Sequence, residues 1–211
     1  VYADNGSDQA KAPAAASELV GKNVAIVLGS YGSGVSMAGG AVFSEAGIPA
    51  IGVTCTNPQV TEGNEHYFRI CFLDPFQGTV LANYAKNELG ATKAYCLAKQ
   101  GDDYSGGLCN YFMEAFGKDS CVYEQFPDGT SDYSTYVTNA QNQGCDVFFA
   151  PVSTEAAAQI IAKASTQGLT MPMLAGDTWD SNVILDAAKG TDVNICVTTF
   201  YQEGADAEFD K

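Results

Sequence analysis

The sequence alternates between short apolar runs and stretches with helical spacing, and this alternation restricts the fold more than any other feature. Most of the runs are continuously apolar, which is typical of strands buried on both faces of a parallel sheet. The alternation therefore predicts an α/β fold in which parallel sheets are flanked by helices. The eight predicted strands span residues 24–28, 49–53, 67–72, 93–98, 121–126, 146–150, 173–174 and 193–199.

Apolar residues recur at helical spacing in several of the intervening stretches. We expect helices over residues 10–20, 78–89, 154–167 and 182–189, and a further helix through Met37. Ser7 and Asp8 are candidate N-caps for the first of these helices, and Gly90 and Gly168 follow two others as stop signals.

One polar segment interrupts the alternation and predicts two lobes. Residues 54–65 form a loop that contains Pro and Gly, and Pro75 follows soon after it. Because proline disfavours helix at the residue before it, we expect a turn at Asp74 and a new helix from Gly78. We assign residues 1–74 and 204–211 to an incomplete first lobe and residues 75–203 to a second lobe.

Charge and hydropathy exclude some functions. Ten basic against 25 acidic residues give a net charge of −15, which argues against binding to nucleic acid or to an anionic membrane surface. The longest apolar run, residues 24–28, is far too short to span a bilayer. The chain opens with Val1 and not Met, so we expect a mature fragment or part of a longer protein.

The positions of the seven cysteines are more typical of free thiols packed in the core than of a metal-binding or redox motif. None of them forms a C-x-x-C pair, which argues against zinc and thioredoxin-like sites. Cys71, Cys96, Cys121 and Cys196 lie in apolar runs, where a free thiol packs as a small hydrophobic group. One disulfide between neighbouring strands is the alternative.

A first candidate site follows the strand at residues 24–28. The segment Gly29-Ser30-Tyr31-Gly32-Ser33-Gly34 precedes a predicted helix, and ligands in open parallel sheets bind at such positions. The helix N–H groups and the Ser33 hydroxyl suit a carboxylate or phosphate. The alternative is a tight turn capped by a serine, because the segment matches neither a P-loop nor a dinucleotide fingerprint.

A second candidate site follows the strand at residues 173–174. Trp179, the only tryptophan, lies on a loop between Asp177 and Asp180. An aromatic surface beside a carboxylate suits a ligand with an ammonium group and an apolar body. The alternative is that Trp179 anchors the packing while Asp180 or Ser181 caps the next helix.

The sequence contains no catalytic constellation. G-x-S-x-G is absent, and His66 is the only histidine. Asp102 and Asp103 are more typical of a solvated loop than of a cation site. We therefore expect binding without catalysis, metal or cofactor.

These residues resemble the type I periplasmic-binding-protein fold, specifically the branched-chain amino-acid-binding receptors of ABC importers. The resemblance extends over nearly the whole chain, and its most specific stretch is TNPQVTEG…FR…DPFQG. It implies two α/β lobes that close over a ligand in the cleft between them. The segments that carry it are GSYGS, GIPAIGVTCTNPQVTEG, YFRICFLDPFQGTVLANYAKNELG, DDYSGGL, SDYSTYV and GDTWDS.

The resemblance implies roles for individual residues. Ser33 holds the ligand carboxylate, the loop with Thr54, Cys55 and Thr56 supplies backbone and hydroxyl contacts, and Asp177 pairs with the α-ammonium. Tyr104 is the tyrosine contributed by the second lobe. The remaining candidates concern side-chain specificity: Ser153 stands where relatives often carry tyrosine, and Tyr31 and Trp179 add aromatic bulk.

We accordingly expect an extracytoplasmic solute-binding protein that captures an amino acid or a similar zwitterion. Its partner is the importer's membrane permease, and any contact with the membrane is through a lipid anchor outside this chain. Two alternatives stay open: a ligand-sensing domain of a receptor or regulator, and a small α/β enzyme that binds an anion at Ser33.

Overall fold

The computed structural model describes residues 1–201 and 204–208. The chain divides into two compact units, Val1–Asp74 and Pro75–Lys211. The prediction that residues 204–211 belong to the first lobe falls partly on residues 209–211, which lie outside the described residues. It stays a prediction.

The first unit is built around a three-stranded parallel sheet. Its strands are β1 (Val27–Leu28), β2 (Ala50–Gly52) and β3 (Tyr67–Arg69), in the order β1-β2-β3. Helices α1 (Ala12–Gly21) and α2 (Ser33–Glu45) contribute Ala16 and Phe43 to the apolar cluster of this unit.

Successive strand residues point to opposite faces of this sheet, and the two faces differ in burial. Val27, Ala50 and Tyr67 are register partners on the buried face. The next residues in register include Leu28 and Phe68, which are 74% and 53% exposed. The helices therefore cover one face of the first sheet and leave apolar side chains uncovered on the other.

The second unit contains a five-stranded parallel sheet in the order β5-β4-β6-β7-β8. The strands are β4 (Ala94–Lys99), β5 (Cys121–Phe126), β6 (Val147–Phe149), β7 (Met173–Ala175) and β8 (Ile195–Val197). The helices are α3 (Asp74–Asn87), α4 (Asp103–Phe116), α5 (Ser134–Asn142), α6 (Thr154–Thr166) and α7 (Asn182–Ala188).

Both faces of the second sheet are buried, and each belongs to its own apolar cluster. Tyr95 of β4 packs with Ile160 of α6, whereas its neighbour Cys96 packs with Phe112 of α4. Helices cover both faces of this sheet, so the side chains on both faces of each strand are buried. The strands are therefore continuously apolar and do not alternate between apolar and polar residues. The α/β prediction with parallel sheets and flanking helices is confirmed.

Two predicted helix starts are wrong. Helix α3 begins at Asp74 and not at Gly78, because Pro75 lies in its first turn, where a missing N–H breaks no helical hydrogen bond. Helix α1 begins at Ala12 with Lys11 as its N-cap residue, so neither Ser7 nor Asp8 is the cap.

The longest helices described, α3 and α4, have 14 residues each. In residues 1–201 and 204–208, no helix has the length and hydropathy needed to cross a membrane.

Gly78 and Gly106 give a matched test of the contact between α3 and α4. A Cβ at Gly78 would lie 2.8 Å from the Phe112 backbone nitrogen, whereas at Gly106 the nearest atom is the Tyr123 hydroxyl at 4.0 Å. We expect Gly78→Ala to lower the free energy of unfolding by about 1–3 kcal/mol through overpacking. Gly106→Ala should be neutral or stabilising by up to about 1 kcal/mol.

Urea unfolding followed by circular dichroism measures both variants. Equal effects of the two substitutions would contradict the close approach of α3 to α4.

Candidate ligand-binding site

The first candidate segment lies at the start of α2. Gly32 precedes the helix with a φ of 88°, a backbone conformation that favours glycine, and Ser33 is the first helical residue. The first N–H groups of a helix have no partner within it, so this end of α2 presents backbone donors and the positive end of the helix dipole. The Ser33 side chain is buried at 2% exposure.

Ser33 connects this helix to the loop that follows β2. Its Oγ accepts a hydrogen bond from the Asn57 backbone N–H at 3.2 Å, which leaves the Ser33 O–H able to donate to a ligand. Thr54 is half-buried and Cys55 is buried. Thr56 is fully buried, and its Oγ1 has no hydrogen-bond partner among the described residues. A buried hydroxyl of this kind suits a ligand acceptor.

Arg69 fixes the shape of this loop, a role that no sequence motif indicated. Its Nη1 donates to the Cys55 and Asn57 carbonyl oxygens, both at 2.8 Å. Its Nη2 donates to the Pro58 carbonyl at 2.9 Å and to Thr61 Oγ1 at 2.6 Å. The sequence feature that could have indicated this role is the position of Arg69, the only arginine of the chain, at the end of β3 and close to a polar loop.

The second candidate segment is a 3₁₀ turn, Asp177–Trp179, directly after β7. The Trp179 side chain is 2% exposed and belongs to the same apolar cluster as Ile160. This burial supports the interpretation of Trp179 as a packing anchor, and its direct contact with a ligand stays a prediction. Ser181 caps α7, as one of the two predicted alternatives stated.

The Asp177 carboxylate is buried at 9% exposure and is held at one oxygen. Its Oδ1 accepts hydrogen bonds from the Tyr104 hydroxyl at 2.8 Å and from Gln77 Nε2 at 3.0 Å. Burial raises the pKa of Asp177, while the hydrogen bonds from Tyr104 and Gln77 oppose that rise. Within the described part of the chain, Asp177 forms no ion pair with a protein cation.

Gln77, part of the DPFQG motif, is a second residue whose role only the structure shows. It is completely buried, and its Oε1 accepts from the Asp177 backbone N–H at 3.2 Å and from Thr198 Oγ1 at 2.6 Å. A Cβ at Gly176 would overlap the Tyr104 hydroxyl, so glycine is needed there. Gln77 thus positions Asp177 through both its backbone and its carboxylate.

The other predicted contacts are more exposed. Tyr31 is 59% exposed. Ser153 is exposed and is the N-cap of α6, where its Oγ accepts from the Ala156 N–H at 3.4 Å. Their roles in specificity stay predictions.

The remaining polar residues have structural positions. Asp102 caps α4 by accepting from the Ser105 N–H at 2.8 Å. Over the described residues, no group of three or more His, Cys, Asp or Glu side chains is placed to hold a metal ion. Taken together, the first unit offers donors for an anion and the second offers a carboxylate for a cation.

The role of Gln77 can be tested by an apolar side chain of similar length. We expect Gln77→Met to lower the free energy of unfolding by about 1–3 kcal/mol, because it removes two acceptor bonds and one donor bond in a buried site. Gln125→Met is the control, since Gln125 is exposed and its change should stay within about 0.5 kcal/mol. If denaturant unfolding shows the same loss of free energy for both variants, the hydrogen bonds of Gln77 do not contribute to stability as proposed.

Comparisons with known proteins give the same assignment as the resemblance in the sequence. The family model described as "Periplasmic binding protein" matches residues 1–210. An amino acid binding protein from Pseudomonas aeruginosa is 32% identical over 195 residues, which cover 90% of this chain and 52% of that protein.

Two solved structures share the fold closely. The leucine-binding protein LivK from Thermotoga maritima aligns with a TM-score of 0.89 and 28% identity, covering 96% of this chain and 59% of that one. The branched-chain amino acid transporter substrate-binding protein LivJ from Streptococcus pneumoniae, solved with isoleucine, aligns with a TM-score of 0.88 and 27% identity, covering 100% and 62%.

This chain spans about half the length of the curated relatives it matches. The type I periplasmic-binding-protein fold and the resemblance to the branched-chain amino-acid-binding proteins are confirmed. The matched family is one of binding proteins, which confirms the expectation of binding without catalysis at the level of the family. The chain belongs to the periplasmic binding protein family.

Proposed function

We propose that this chain captures a branched-chain or similar aliphatic amino acid for an ABC importer. The observation that carries the proposal is the Asp177 carboxylate, which is 9% exposed and forms no ion pair with a protein cation among the described residues. A buried charge is costly unless it is paired, and the α-ammonium of an amino acid is a suitable partner. The relatives named as amino acid and leucine-binding proteins support this choice of ligand.

The first unit supplies the half-site for the ligand carboxylate. The N-terminal N–H groups of α2 and the Ser33 hydroxyl donate to it, together with the loop formed by Thr54, Cys55 and Thr56. Charge-assisted hydrogen bonds of this kind are about twice as strong as neutral ones. The unpartnered hydroxyl of Thr56 supports this assignment.

The second unit supplies the half-site for the ammonium. Tyr104 and Gln77 both donate to Asp177 Oδ1, so the negative charge is fixed in position before any ligand arrives. Tyr31, Ser153 and Trp179 contribute to side-chain specificity, directly or through packing.

In the full protein, we place this chain outside the cytoplasm, with the membrane permease of the importer as its partner. A lipid anchor, if one exists, lies outside this chain. The family of the chain supports this location.

Calorimetric titration of the ligand-stripped protein tests the proposal directly. The panel is the twenty amino acids with small aliphatic and aromatic carboxylates and amides. One-to-one binding to leucine, isoleucine or valine, with the ligand recovered unchanged, is the expected result. Tight binding of a carboxylate without an ammonium group would refute the proposed role of Asp177.

Ser33→Ala tests the carboxylate half-site. We expect leucine to bind about 1–3 kcal/mol more weakly, because the variant loses a donor to a charged group. Leucinamide lacks the carboxylate, so its affinity should fall much less than that of leucine. This comparison separates ligand contact from the hydrogen bond that Ser33 accepts from Asn57, since loss of that bond affects both ligands alike. Equal losses for the two ligands would refute the contact.

Asp177→Asn tests the ammonium half-site without removing the acceptor for Tyr104 and Gln77. We expect leucine to bind about 2–5 kcal/mol more weakly, whereas 4-methylpentanoate, which lacks the ammonium, should bind the variant at least as well as the native protein. An equal loss for both ligands would indicate a damaged site and not a lost charge pair.

The pH dependence separates binding from stability. Because burial raises the Asp177 pKa, leucine affinity should fall as the pH drops through that raised value. The stability of the ligand-free protein changes in the opposite direction: the contribution of Asp177 is present below its unfolded pKa and is lost as the pH rises through its folded pKa.

The contribution of Asp177 is isolated by measuring leucine affinity and stability against pH for the native protein and for Asp177→Asn, and by subtracting the second profile from the first. Hydrogen bonds are the main cause of the lowered pKa values of other carboxylates, such as Asp132 and Asp146. These carboxylates contribute equally to the pH dependence of the native protein and of the variant. Thermal unfolding and calorimetry at each pH give the two profiles. Parallel profiles for the native protein and the variant would contradict the raised pKa.

A further inference from the structure

Thr198 lies just after β8, a strand at the edge of the second sheet. Its N–H donates to the Ala175 carbonyl of β7 at 3.3 Å, which continues the register in which Ala175 pairs with Val197. Thr198 therefore lies beside Gly176, the residue before Asp177. The register of the edge strand thus brings a threonine hydroxyl to the start of the turn that carries the candidate carboxylate.

The Thr198 hydroxyl donates to the side chain of Gln77. Its Oγ1 lies 2.6 Å from Gln77 Oε1, which also accepts from the Asp177 backbone N–H at 3.2 Å. At the other end of the amide, Nε2 donates to Asp177 Oδ1 at 3.0 Å. A hydroxyl that donates to an amide oxygen polarises the amide and makes its N–H groups stronger donors. The Thr198 hydroxyl therefore strengthens the hydrogen bond from Gln77 to the carboxylate.

The two donors at Oε1 also select the orientation of the Gln77 amide. The reversed amide would set its NH₂ group against the Asp177 N–H and its oxygen against the carboxylate, which are both repulsive pairs. Gln77 is completely buried, so water does not replace a donor that its oxygen loses. A Cβ at Gly176 would lie 3.1 Å from Gln77 Oε1, so glycine keeps this space open.

The hydrogen bonds at Asp177 leave one of its oxygens to a ligand. Tyr104 and Gln77 both donate to Oδ1, so Oδ2 is the oxygen that these side chains leave available. The two bonds lower the pKa of Asp177, whereas burial and the charge of Asp180 raise it. Thr199 in turn donates to Asp180 Oδ2. The residues after β8 therefore contact the network around Asp177 at two points.

We propose that Thr198 is a positioning residue of the ammonium half-site, which orients the Asp177 carboxylate for the ligand by holding the Gln77 side chain. The inference rests on the proposed role of Asp177 as the partner of the ligand ammonium. It extends that half-site from the turn after β7 to the end of β8.

Thr198→Val removes the hydroxyl and keeps the branched shape of the side chain. We expect leucine to bind about 3- to 10-fold more weakly, because the bond from Gln77 to Asp177 is weakened. Thr198→Ser retains the hydroxyl and should bind leucine nearly as well as the native protein. Thr191→Val is the control, since the Thr191 hydroxyl donates to the Ala188 carbonyl. Calorimetry that shows equal affinities for Thr198→Val and Thr191→Val would overturn the proposal.

A double-mutant cycle tests whether Thr198 acts through Gln77. In the Gln77→Met background, Thr198→Val should cause no further loss of leucine affinity, because the acceptor of its hydrogen bond is absent. A loss as large as that in the native background would contradict this route.

Titration of Asp177 in the ligand-free protein separates this inference from the proposed function. Carbon NMR of the side-chain carboxyl groups follows the ionisation of Asp177, whose signal is identified by its loss in Asp177→Asn. We expect the midpoint to move to higher pH in Thr198→Val, since the weakened hydrogen bond lowers the pKa less. Leucine affinity should then begin to fall at a correspondingly higher pH.

An unchanged midpoint in Thr198→Val would overturn the positioning role, whatever the ligand. A raised midpoint in a protein that binds no amino acid would support the role of Thr198 in orienting Asp177 and would refute the proposed function.

Discussion

All the strand pairs described run parallel, and this constraint determines where polar groups collect in both units. A parallel connection must cross the sheet, usually as a helix, so each strand ends in a turn that leads into the next crossover. Helix α2 follows β1 in this way, and the Asp177 turn follows β7. The candidate groups lie at strand ends because the strands themselves are occupied by apolar side chains.

In the second unit the same packing that buries the sheet also buries a carboxylate. Trp179 fills the apolar cluster and thereby fixes the turn that begins at Asp177. Tyr104 and Gln77 then donate to the Asp177 carboxylate, and the absence of a side chain at Gly176 makes room for the Tyr104 hydroxyl. The charge is held rigidly at an energetic cost that a cationic ligand group would offset.

In the first unit, the groups proposed to bind the ligand are neutral donors, and the single guanidinium group, that of Arg69, bonds to the protein itself. Arg69 donates to carbonyl oxygens and to a hydroxyl of the loop after β2, so its guanidinium group shapes the loop. The same loop carries Thr56, whose buried hydroxyl is unpartnered among the described residues. The loop that we propose as a ligand contact is therefore also the loop that Arg69 holds in place.

Local patterns in the sequence determined the parallel α/β architecture and the family, because hydrophobic periodicity and loop motifs are short-range signals. They also indicated Ser33 and Asp177 as candidates, although the ligand roles of these residues stay predictions. Local reasoning failed at Pro75, where a first-turn proline starts a helix as readily as it ends one. Only the tertiary structure revealed that Gln77 holds Asp177, 100 residues further along the chain. Contacts of this kind arise when the sheet brings distant strand ends together, and such proximity leaves no periodic pattern in the sequence.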